Sequence, residues 1–175
     1  MILAFGGSEA PSSVASEKLG SMIDALNTDT EMVLVAVQSG TQALTPIIWS
    51  KAAYLVELPA DISDAEGLRT VLQDVLNRGR DTALVTSLSS QDLITSETAH
   101  RMLARYCEAG DDTWAVLLRD EVSASPMLLG RRMIELFLRD TQRRTTKELL
   151  AANRNHLLIV EPRDAHSVAA VQESK

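Results

Sequence analysis

The chain has 175 residues, 45% of them hydrophobic, so it is long enough to bury the core of a globular domain. Its formal charge of −7 argues against a general nucleic-acid-binding surface, and its single cysteine excludes an internal disulfide or a thiolate metal cluster. It has no visible signal peptide and no apolar run near the roughly 18 residues of a membrane span. We therefore expect a cytoplasmic protein that contacts neither nucleic acid nor membrane.

The first eight residues are predicted to form an apolar strand and the turn that ends it, at Gly6, Gly7 and Ser8. Glycines at the carboxyl end of a strand let the backbone approach a ligand, and the following helix points its N–H groups at negative charge. We predict a phosphate-binding turn at Gly6, Gly7 and Ser8, with Lys18 supplying a positive charge. The turn is neither a P-loop nor a dinucleotide fingerprint, so a simple tight turn and a solvated Lys18 are the alternatives.

After this turn the hydrophobic pattern alternates between helix and strand. The predicted helices lie near 16–27, 64–76, 95–109, 131–138 and 147–150, and the predicted strands at 32–37, 53–58, 83–88, 114–118 and 157–160. Residues 126–130 are predicted to lead into the helix that follows them. Such alternation is typical of a three-layer α/β/α domain with a mostly parallel sheet. We predict a single domain over 1–162, followed by a polar tail over 163–175.

Ligands of such sheets bind beyond the carboxyl ends of the strands. Segments 88–92 and 120–125 are predicted to meet the first turn at this edge. Asp92 is the one acidic side chain in its segment and a candidate magnesium ligand, although an ordinary turn residue is the alternative. Cys107 is predicted to be a buried thiol on an apolar helix face.

A group of arginines stands out in this acidic chain. Its members are Arg131, Arg132, Arg139, Arg143 and Arg144. The group is suited to a phosphate or an acidic partner. The alternative is a solvated helix face whose last arginines lie near a helix C-terminus, where cations are favourable.

The order of these parts resembles the MobA-like nucleotidyltransferases, which attach GMP or CMP to the molybdenum cofactor. Residues 3–8 stand where the family has Leu-Ala-Gly-Gly-x-Ser, and Lys18 with Leu19 is similar to its lysine and leucine. Further similar segments are 67–72, 88–95 (Leu-Ser-Ser-Gln-Asp-Leu-Ile-Thr for the family's Leu-x-Asp-Gln-Pro-Leu-Ile-Thr) and 124–129 (for Gly-x-Pro-x-Leu-Leu). The resemblance spans roughly residues 1 to 161 and implies a nucleotide-diphospho-sugar-transferase-like fold.

The resemblance also implies a nucleotide site at Gly6, Gly7, Ser8 and Lys18, with GTP or CTP and magnesium as ligands. The chain departs from the family at two residues that nucleotidyl transfer requires. The magnesium aspartate falls on Ser90, and no arginine follows the first turn. Because nucleotidyl transfer needs a metal and positive charge at the phosphates, the resemblance implies a divergent, catalytically degenerate member.

A second hypothesis from the sequence is a non-catalytic interaction protein on the same fold. It would serve as a partner or chaperone-type protein for a molybdoenzyme. Its docking residues would be Arg131, Arg132, Arg143 and Arg144.

Overall fold

The computed structural model describes residues 2–4, 13–28, 30–39, 44–88, 94–118, 126–142 and 144–161. In chain order they form β1 (Ile2–Ala4), α1 (Ser13–Asn27), β2 (Leu34–Gln38), α2 (Thr45–Ser50), β3 (Tyr54–Leu58), α3 (Asp64–Asn77), β4 (Thr82–Ser87), α4 (Ser96–Ala109), β5 (Ala115–Leu118), β6 (Met127–Gly130), α5 (Arg131–Arg139), α6 (Thr146–Ala152) and β7 (Leu157–Val160). A 3₁₀ turn, Arg154–His156, precedes β7. The predicted tail over 163–175 lies outside the described residues.

The seven strands form one sheet in the order β3-β2-β1-β4-β6-β5-β7. Strand β6 runs antiparallel to its neighbours β4 and β5, whereas the other neighbouring pairs are parallel. The prediction of a mostly parallel sheet is therefore confirmed. The carboxyl ends of six strands consequently share one edge of the sheet, which we call the carboxyl edge, and the opposite edge is the amino edge.

Each face of the sheet is covered by helices. One layer of the core joins α3, α5 and α6 to the sheet, with Leu72, Phe137 and Leu149 among its fully buried side chains. The other layer joins α1, α2 and α4, with Ile23 and Met102 at its centre. The predicted three-layer α/β/α fold is confirmed. No helix in the described ranges is long and apolar enough to cross a membrane.

Residues 127–130 form a strand, so the prediction that they only lead into α5 is wrong. All four of these residues are buried, because β6 is an interior strand with a neighbour on each side. A run of three apolar residues before a glycine carries no strand periodicity, and β4, one of its two pairing partners, is distant in sequence. The six-residue helix α2 was missed because it is too short to show a helical pattern.

Several helix ends follow from the sequence. The hydroxyl of Ser63 accepts a hydrogen bond from the Glu66 N–H (3.3 Å), so Ser63, a residue type that favours this position, caps α3. The hydroxyl of Thr95 caps α4 in the same way, at 3.1 Å from the Thr98 nitrogen. Gly110 ends α4 with a φ of 74°, a conformation that favours glycine.

Candidate functional site

The strand order changes direction at β1, which places a crevice at the carboxyl edge. The chain builds β2 and β3 on one side of β1 and returns to β4 on the other. Ala4 pairs with Val37 and Leu3 with Ser87, so β1, β2 and β4 end almost level. Ligands of open α/β sheets bind where the strand order reverses in this way. Strand β1 ends here at Ala4, and the predicted phosphate turn is the next segment of the sequence.

Two helices begin at this crevice. Helix α1 follows β1 and helix α4 follows β4, and the two helices contact each other on the same face of the sheet. A helix N-terminus carries unpaired N–H groups and the positive end of the helix dipole. The carboxyl edge between β1 and β4 is therefore electrostatically suited to an anion.

Hydrogen bonds hold the neighbouring strand ends in place. The Ser39 hydroxyl donates to the Leu58 carbonyl oxygen (2.9 Å), and the Ser39 N–H donates to the same oxygen (2.7 Å). The Gln38 side chain donates to the Ile62 carbonyl oxygen at 3.2 Å. These bonds tie the end of β2 to the loop after β3 and so fix one wall of the crevice.

Lys18 lies in the second turn of α1 and is half-buried. A Cβ atom on Gly20 would lie 3.6 Å from Ile47 of α2, so that flank of α1 faces α2. Two residues turn a helix by about 200°, so Lys18 lies on the flank away from α2. The other helix that α1 contacts on this face is α4. Lys18 is therefore placed on the flank of α1 that faces away from α2, towards α4.

The other residues predicted for this site, Gly6, Gly7, Ser8, Ser90 and Asp92, lie outside the described residues. The polar side chains at the described ends of β2 and β4, the two strands beside β1, are those of Gln38, Ser39 and Ser87, which are amides and hydroxyls. Within the described ranges, no three His, Cys, Asp or Glu side chains lie close enough to hold a metal ion. Because magnesium sites in proteins are built on carboxylates, these residues do not fit a magnesium ion. We assign no reaction step to a metal.

The predicted arginine surface is not brought together. Arg131 and Arg132 begin α5, whereas Arg144 follows its end, about 12 Å along the helix axis. Arg131 pairs with Glu135 (2.9 Å), and Arg144 pairs with Asp140 (2.8 Å). Arg143 lies outside the described residues. Arg131 and Arg139 share the partner Glu135, so Arg131, Arg132 and Arg139 of α5 form one surface among the described members, and Arg144 lies apart from it.

Asp140 is the centre of a buried ion cluster rather than of a docking surface. Its side chain is 2% exposed. It forms ion pairs with Arg144 and, at 3.4 Å, with Arg69 of α3. Burial alone would raise its pKa. The hydrogen bonds from Arg144 and the charges of Arg144 and Arg69 outweigh that effect, so the pKa of Asp140 lies below its usual range. The cluster holds the turn between α5 and α6 against α3.

Sequence reasoning missed a cavity of about 460 Å³ at the amino edge, lined by Tyr106, Thr113, Trp114 and Arg132 among others. The Trp114 ring stacks on His156 at 3.9 Å between ring centroids. Burial, and to a smaller extent the charge of Asp81, raises the pKa of Tyr106. These residues meet because β5 pairs with β6, the strand that the sequence did not reveal.

Cys107 also lies beside this cavity, and the prediction that its thiol is buried is wrong. The side chain is exposed. Cys107 lies at the margin of the apolar stripe of α4, and residues 107–110 at the end of that helix are all exposed. The apolar periodicity of the sequence extends to Cys107, but α4 no longer covers the sheet at that residue.

Comparison with known proteins identifies the fold. No protein-family model matches the chain, and no curated protein matches its sequence. Among solved structures it is similar to a cytidylyltransferase from Leptospira borgpetersenii, with a TM-score of 0.67, 13% identity and coverage of 93% of this chain and 74% of that one.

Two further structures share the fold. One is the 4-diphosphocytidyl-2C-methyl-D-erythritol synthase from Anaerococcus prevotii, with a TM-score of 0.63, 11% identity and coverage of 92% and 86%. The other is a glucosyl-3-phosphoglycerate synthase from Mycobacterium tuberculosis, bound to UDP and Mn²⁺, with a TM-score of 0.63, 11% identity and coverage of 97% and 74%. The chain therefore has the fold seen in nucleotidyltransferases and nucleotide-diphospho-sugar transferases.

Proposed function

We propose that the chain binds a nucleotide at the carboxyl edge of its sheet, in the crevice between the ends of β1 and β4. The observation that carries this proposal is the reversal of strand order at β1, together with the contact between α1 and α4, the helices that follow β1 and β4. Proteins with this fold include one bound to UDP and Mn²⁺. A phosphate group is the part of a nucleotide that two helix N-termini favour.

The predicted first turn would hold the phosphates. In this proposal the backbone N–H groups of Gly6, Gly7 and Ser8 face the phosphate oxygens, and Lys18 adds a positive charge from the flank of α1. The net charge of the chain is −7, so binding depends on these local groups rather than on the overall field. GTP and CTP, with magnesium, are the nucleotides that the MobA resemblance favours.

Catalytic transfer is not part of the primary proposal. The position of the family's magnesium aspartate is taken by Ser90, and the described ends of β2 and β4 beside β1 present amides and hydroxyls. Stabilising a transferring phosphoryl group needs charge that these side chains do not supply. We therefore propose a divergent nucleotidyltransferase-like protein that retains nucleotide binding and is weak or inactive in transfer.

Isothermal titration of the protein with GTP, CTP and UDP, each with and without magnesium, tests binding. We expect saturable heat for at least one nucleotide and an increase in melting temperature. A flat titration together with an unchanged melting temperature at millimolar nucleotide contradicts the proposal.

A matched pair of variants locates the site. Lys18→Ala removes the cation on α1 and should weaken nucleotide binding severalfold, on the scale of one charged hydrogen bond. Lys147→Ala removes an exposed lysine from α6, on the opposite face of the sheet, and should leave binding unchanged. Equal losses in both variants would place the nucleotide elsewhere.

The second candidate is a non-catalytic interaction protein. The favouring observation is that Arg132, exposed at the start of α5, has no ion-pair partner among the described residues. The double variant Arg131→Glu, Arg132→Glu tests partner binding by this surface. The control is Arg105→Glu, which changes an exposed arginine of α4. A protein partner that binds all variants equally contradicts a docking role for these arginines. Arg144 is left intact because it stabilises Asp140.

A further inference from the structure

Strand β3 is the last strand at one end of the sheet. Among the described strands it pairs with β2 alone, so its other side, which we call the outer side, is unpaired. Its ladder with β2 is continuous from Tyr54 to Leu58 without a bulge, and the strand contains neither lysine nor proline. Proteins commonly use such residues and bulges to keep an edge strand from pairing with another chain. The outer side of β3 lacks these protections.

The peptide groups of Leu55 and Glu57 point to the outer side. The Tyr54 N–H donates to the carbonyl oxygen of the residue before β2 (2.9 Å), and the Leu58 carbonyl oxygen accepts from the N–H of the residue after β2 (2.7 Å). Tyr54 and Leu58 therefore face β2. Because peptide groups alternate along a strand, Leu55 and Glu57 face outwards. Their N–H and C=O groups have no hydrogen-bond partner in the part of the chain that the structure describes.

The two exposed large hydrophobic side chains of the described residues both lie on this side. Tyr54 is the first residue of β3 and is 52% exposed, and Trp49 of α2 is 70% exposed. Ile47 of α2 faces Gly20 of α1, and two residues turn a helix by about 200°, so Trp49 projects from the flank away from α1. Helix α1 lies between α2 and α4, which makes α2 the outermost helix at the β3 end. Trp49 therefore overhangs the outer side of β3.

Helix α3 leaves the opposite face of β3 partly open. It contacts β2, β4 and α5, which places it over the middle of the sheet. A cavity of about 660 Å³ lies beside β3 on this face, and Val56, Gln73 and Arg78 are among its lining residues. Arg78 covers the Tyr54 ring at 5.0 Å. The cavity leaves room beside Val56 for the side chains of a neighbouring strand.

We propose that β3 pairs with β3 of a second copy of this chain, antiparallel, about a two-fold axis that passes between the two Val56 residues. Leu55 and Glu57 lie at equal distances on either side of Val56. Each Leu55 therefore exchanges two hydrogen bonds with Glu57 of the other copy. The four hydrogen bonds use every outward peptide group of the strand. An edge that is complementary to itself in this way fits a two-fold dimer.

The exposed aromatic side chains supply apolar area for this contact. An aromatic side chain buries about 150–250 Å² when it is covered, so the exposed parts of Trp49 and Tyr54 in two copies offer roughly 370–610 Å². These four side chains would provide roughly a third of the 1,600 Å² of a standard interface. The half-buried Leu55 and Val56 and the paired backbone add to this area. We expect a reversible dimer, because the area is well below that of a permanent one.

Sedimentation velocity on the whole protein tests the association. The buffer contains enough salt to screen repulsion between copies that each carry a net charge of −7. We expect a monomer–dimer equilibrium that shifts towards the dimer as the protein concentration rises. A chain that stays monomeric at millimolar concentration overturns the proposal. Assembly that continues beyond two copies also overturns it, because pairing about a two-fold axis leaves no outer side of β3 free.

Two variants at one position isolate the backbone contact. Glu57→Pro removes an outward N–H, at an edge position where the ladder to β2 does not use that group. Glu57→Ala keeps the N–H and loses the same carboxylate. A Glu57→Pro dimer lacks two of the four hydrogen bonds, so we expect its dissociation constant to be about thirtyfold higher than that of Glu57→Ala. Equal dissociation constants contradict strand pairing.

Cross-linking tests the register. The Cα atoms of the two Val56 residues would lie about 4.5 Å apart, which a disulfide can span, whereas those of the two Tyr54 residues would lie about 14 Å apart. In a Cys107→Ser background we expect Val56→Cys to form an intermolecular disulfide on mild oxidation and Tyr54→Cys to remain reduced. Tyr54 is the more exposed position, so random collisions would favour its cross-link. Equal or faster cross-linking of Tyr54→Cys contradicts the register, and this comparison decides if Glu57→Pro does not fold.

Discussion

The hydroxyl group of Tyr106 lies where a Cβ atom on Gly130 would stand. The Tyr106 Cζ atom is 2.6 Å from that position, so even a methyl group at residue 130 cannot be added without moving the ring. The φ of Gly130 is −82°, which any residue adopts. Gly130 is therefore required by the close approach of α4 to the junction of β6 and α5, and not by its backbone conformation.

Replacing Gly130 by alanine should destabilise the fold. We expect Gly130→Ala to lower the free energy of unfolding by about 1–3 kcal/mol, the usual range for overpacking a filled site. Urea denaturation measures the change. Gly20→Ala is the matched control, because its Cβ would lie 3.6 Å from Ile47, an ordinary contact, within helix α1.

Two outcomes separate the clash from other causes. Gly20→Ala should leave stability unchanged or raise it by up to about 1 kcal/mol, since alanine favours helix over glycine. Tyr106→Leu shortens the side chain that occupies the space and should make Gly130→Ala less costly in the double variant. Additive effects of the two substitutions would show that the ring is not the obstacle.

Arg69 should stabilise the fold far more than the exposed arginines do. Its Nε donates to the Phe137 carbonyl oxygen (3.2 Å), and its Nη2 contacts Asp140 (3.4 Å) and the Arg144 carbonyl oxygen (3.1 Å). Arg69→Met keeps much of the side-chain volume but leaves these acceptors without their donor. We expect a loss of at least about 2 kcal/mol in the free energy of unfolding, on the scale of hydrogen bonds to a charged group.

Arg78→Met is the control for Arg69. Arg78 pairs with Asp74 at 2.7 Å and covers the Tyr54 ring at 5.0 Å, but its side chain is 38% exposed. Exposed pairs contribute about 0.2–1 kcal/mol. Chemical denaturation of both variants under one condition checks the contrast, and similar losses would contradict the assignment of Arg69 to a buried cluster.

The Asp140 cluster should make stability depend on acid pH. The pKa of Asp140 is lowered in the folded protein, so its contribution is fully present above the unfolded value of about 3.9 and is lost as pH falls through the lower folded value. Asp140→Asn removes this titration. We therefore expect the stability difference between the wild type and Asp140→Asn to be constant from neutral pH to about pH 5 and to shrink below about pH 4.

A second carboxyl group has to be kept separate in this experiment. Hydrogen bonds from Thr145 hold the pKa of Glu148 below its usual range. The charge of Asp140 raises the pKa of Glu148, so the difference between the wild type and Asp140→Asn is taken in a Glu148→Gln background, where this coupling is absent. Denaturation curves across the acid range measure that difference, and a pH-independent difference would contradict the role of Asp140.

The fold could be predicted from the sequence because its signals are local. The alternating helices and strands, the Ser63 cap and the Gly110 stop each depend on neighbours a few residues apart. Strand β6 could not be predicted, since its four residues show no strand periodicity and its burial depends on pairing with β4, which is distant in the chain, as well as with β5. Without β6, the antiparallel step and the contact of Tyr106 with Gly130 have no signal in the sequence.

The location of the candidate site at the carboxyl edge stays a prediction from local sequence signals. A strand that ends in glycines, followed by a helix with Lys18, indicates the carboxyl edge because that connection is local. The arrangement of the arginines could not be predicted, because it depends on contacts between separate elements and not on neighbours in the sequence. Counting charges along the chain cannot show that Arg144 turns inward to Asp140 while Arg131 lies at the other end of α5.

The thiol of Cys107 gives a direct test of where α4 leaves the core. The side chain is exposed, and it is the only cysteine in the chain. We expect an aromatic disulfide reagent to modify one thiol per folded chain without denaturant, at a rate similar to that of the unfolded protein. Cys107→Ser should not react, and modification should change the free energy of unfolding by less than about 0.5 kcal/mol, because the site is on the surface. A thiol that reacts only after unfolding would mean that the last turn of α4 packs against the sheet, and that the cavity beside Trp114 is closed.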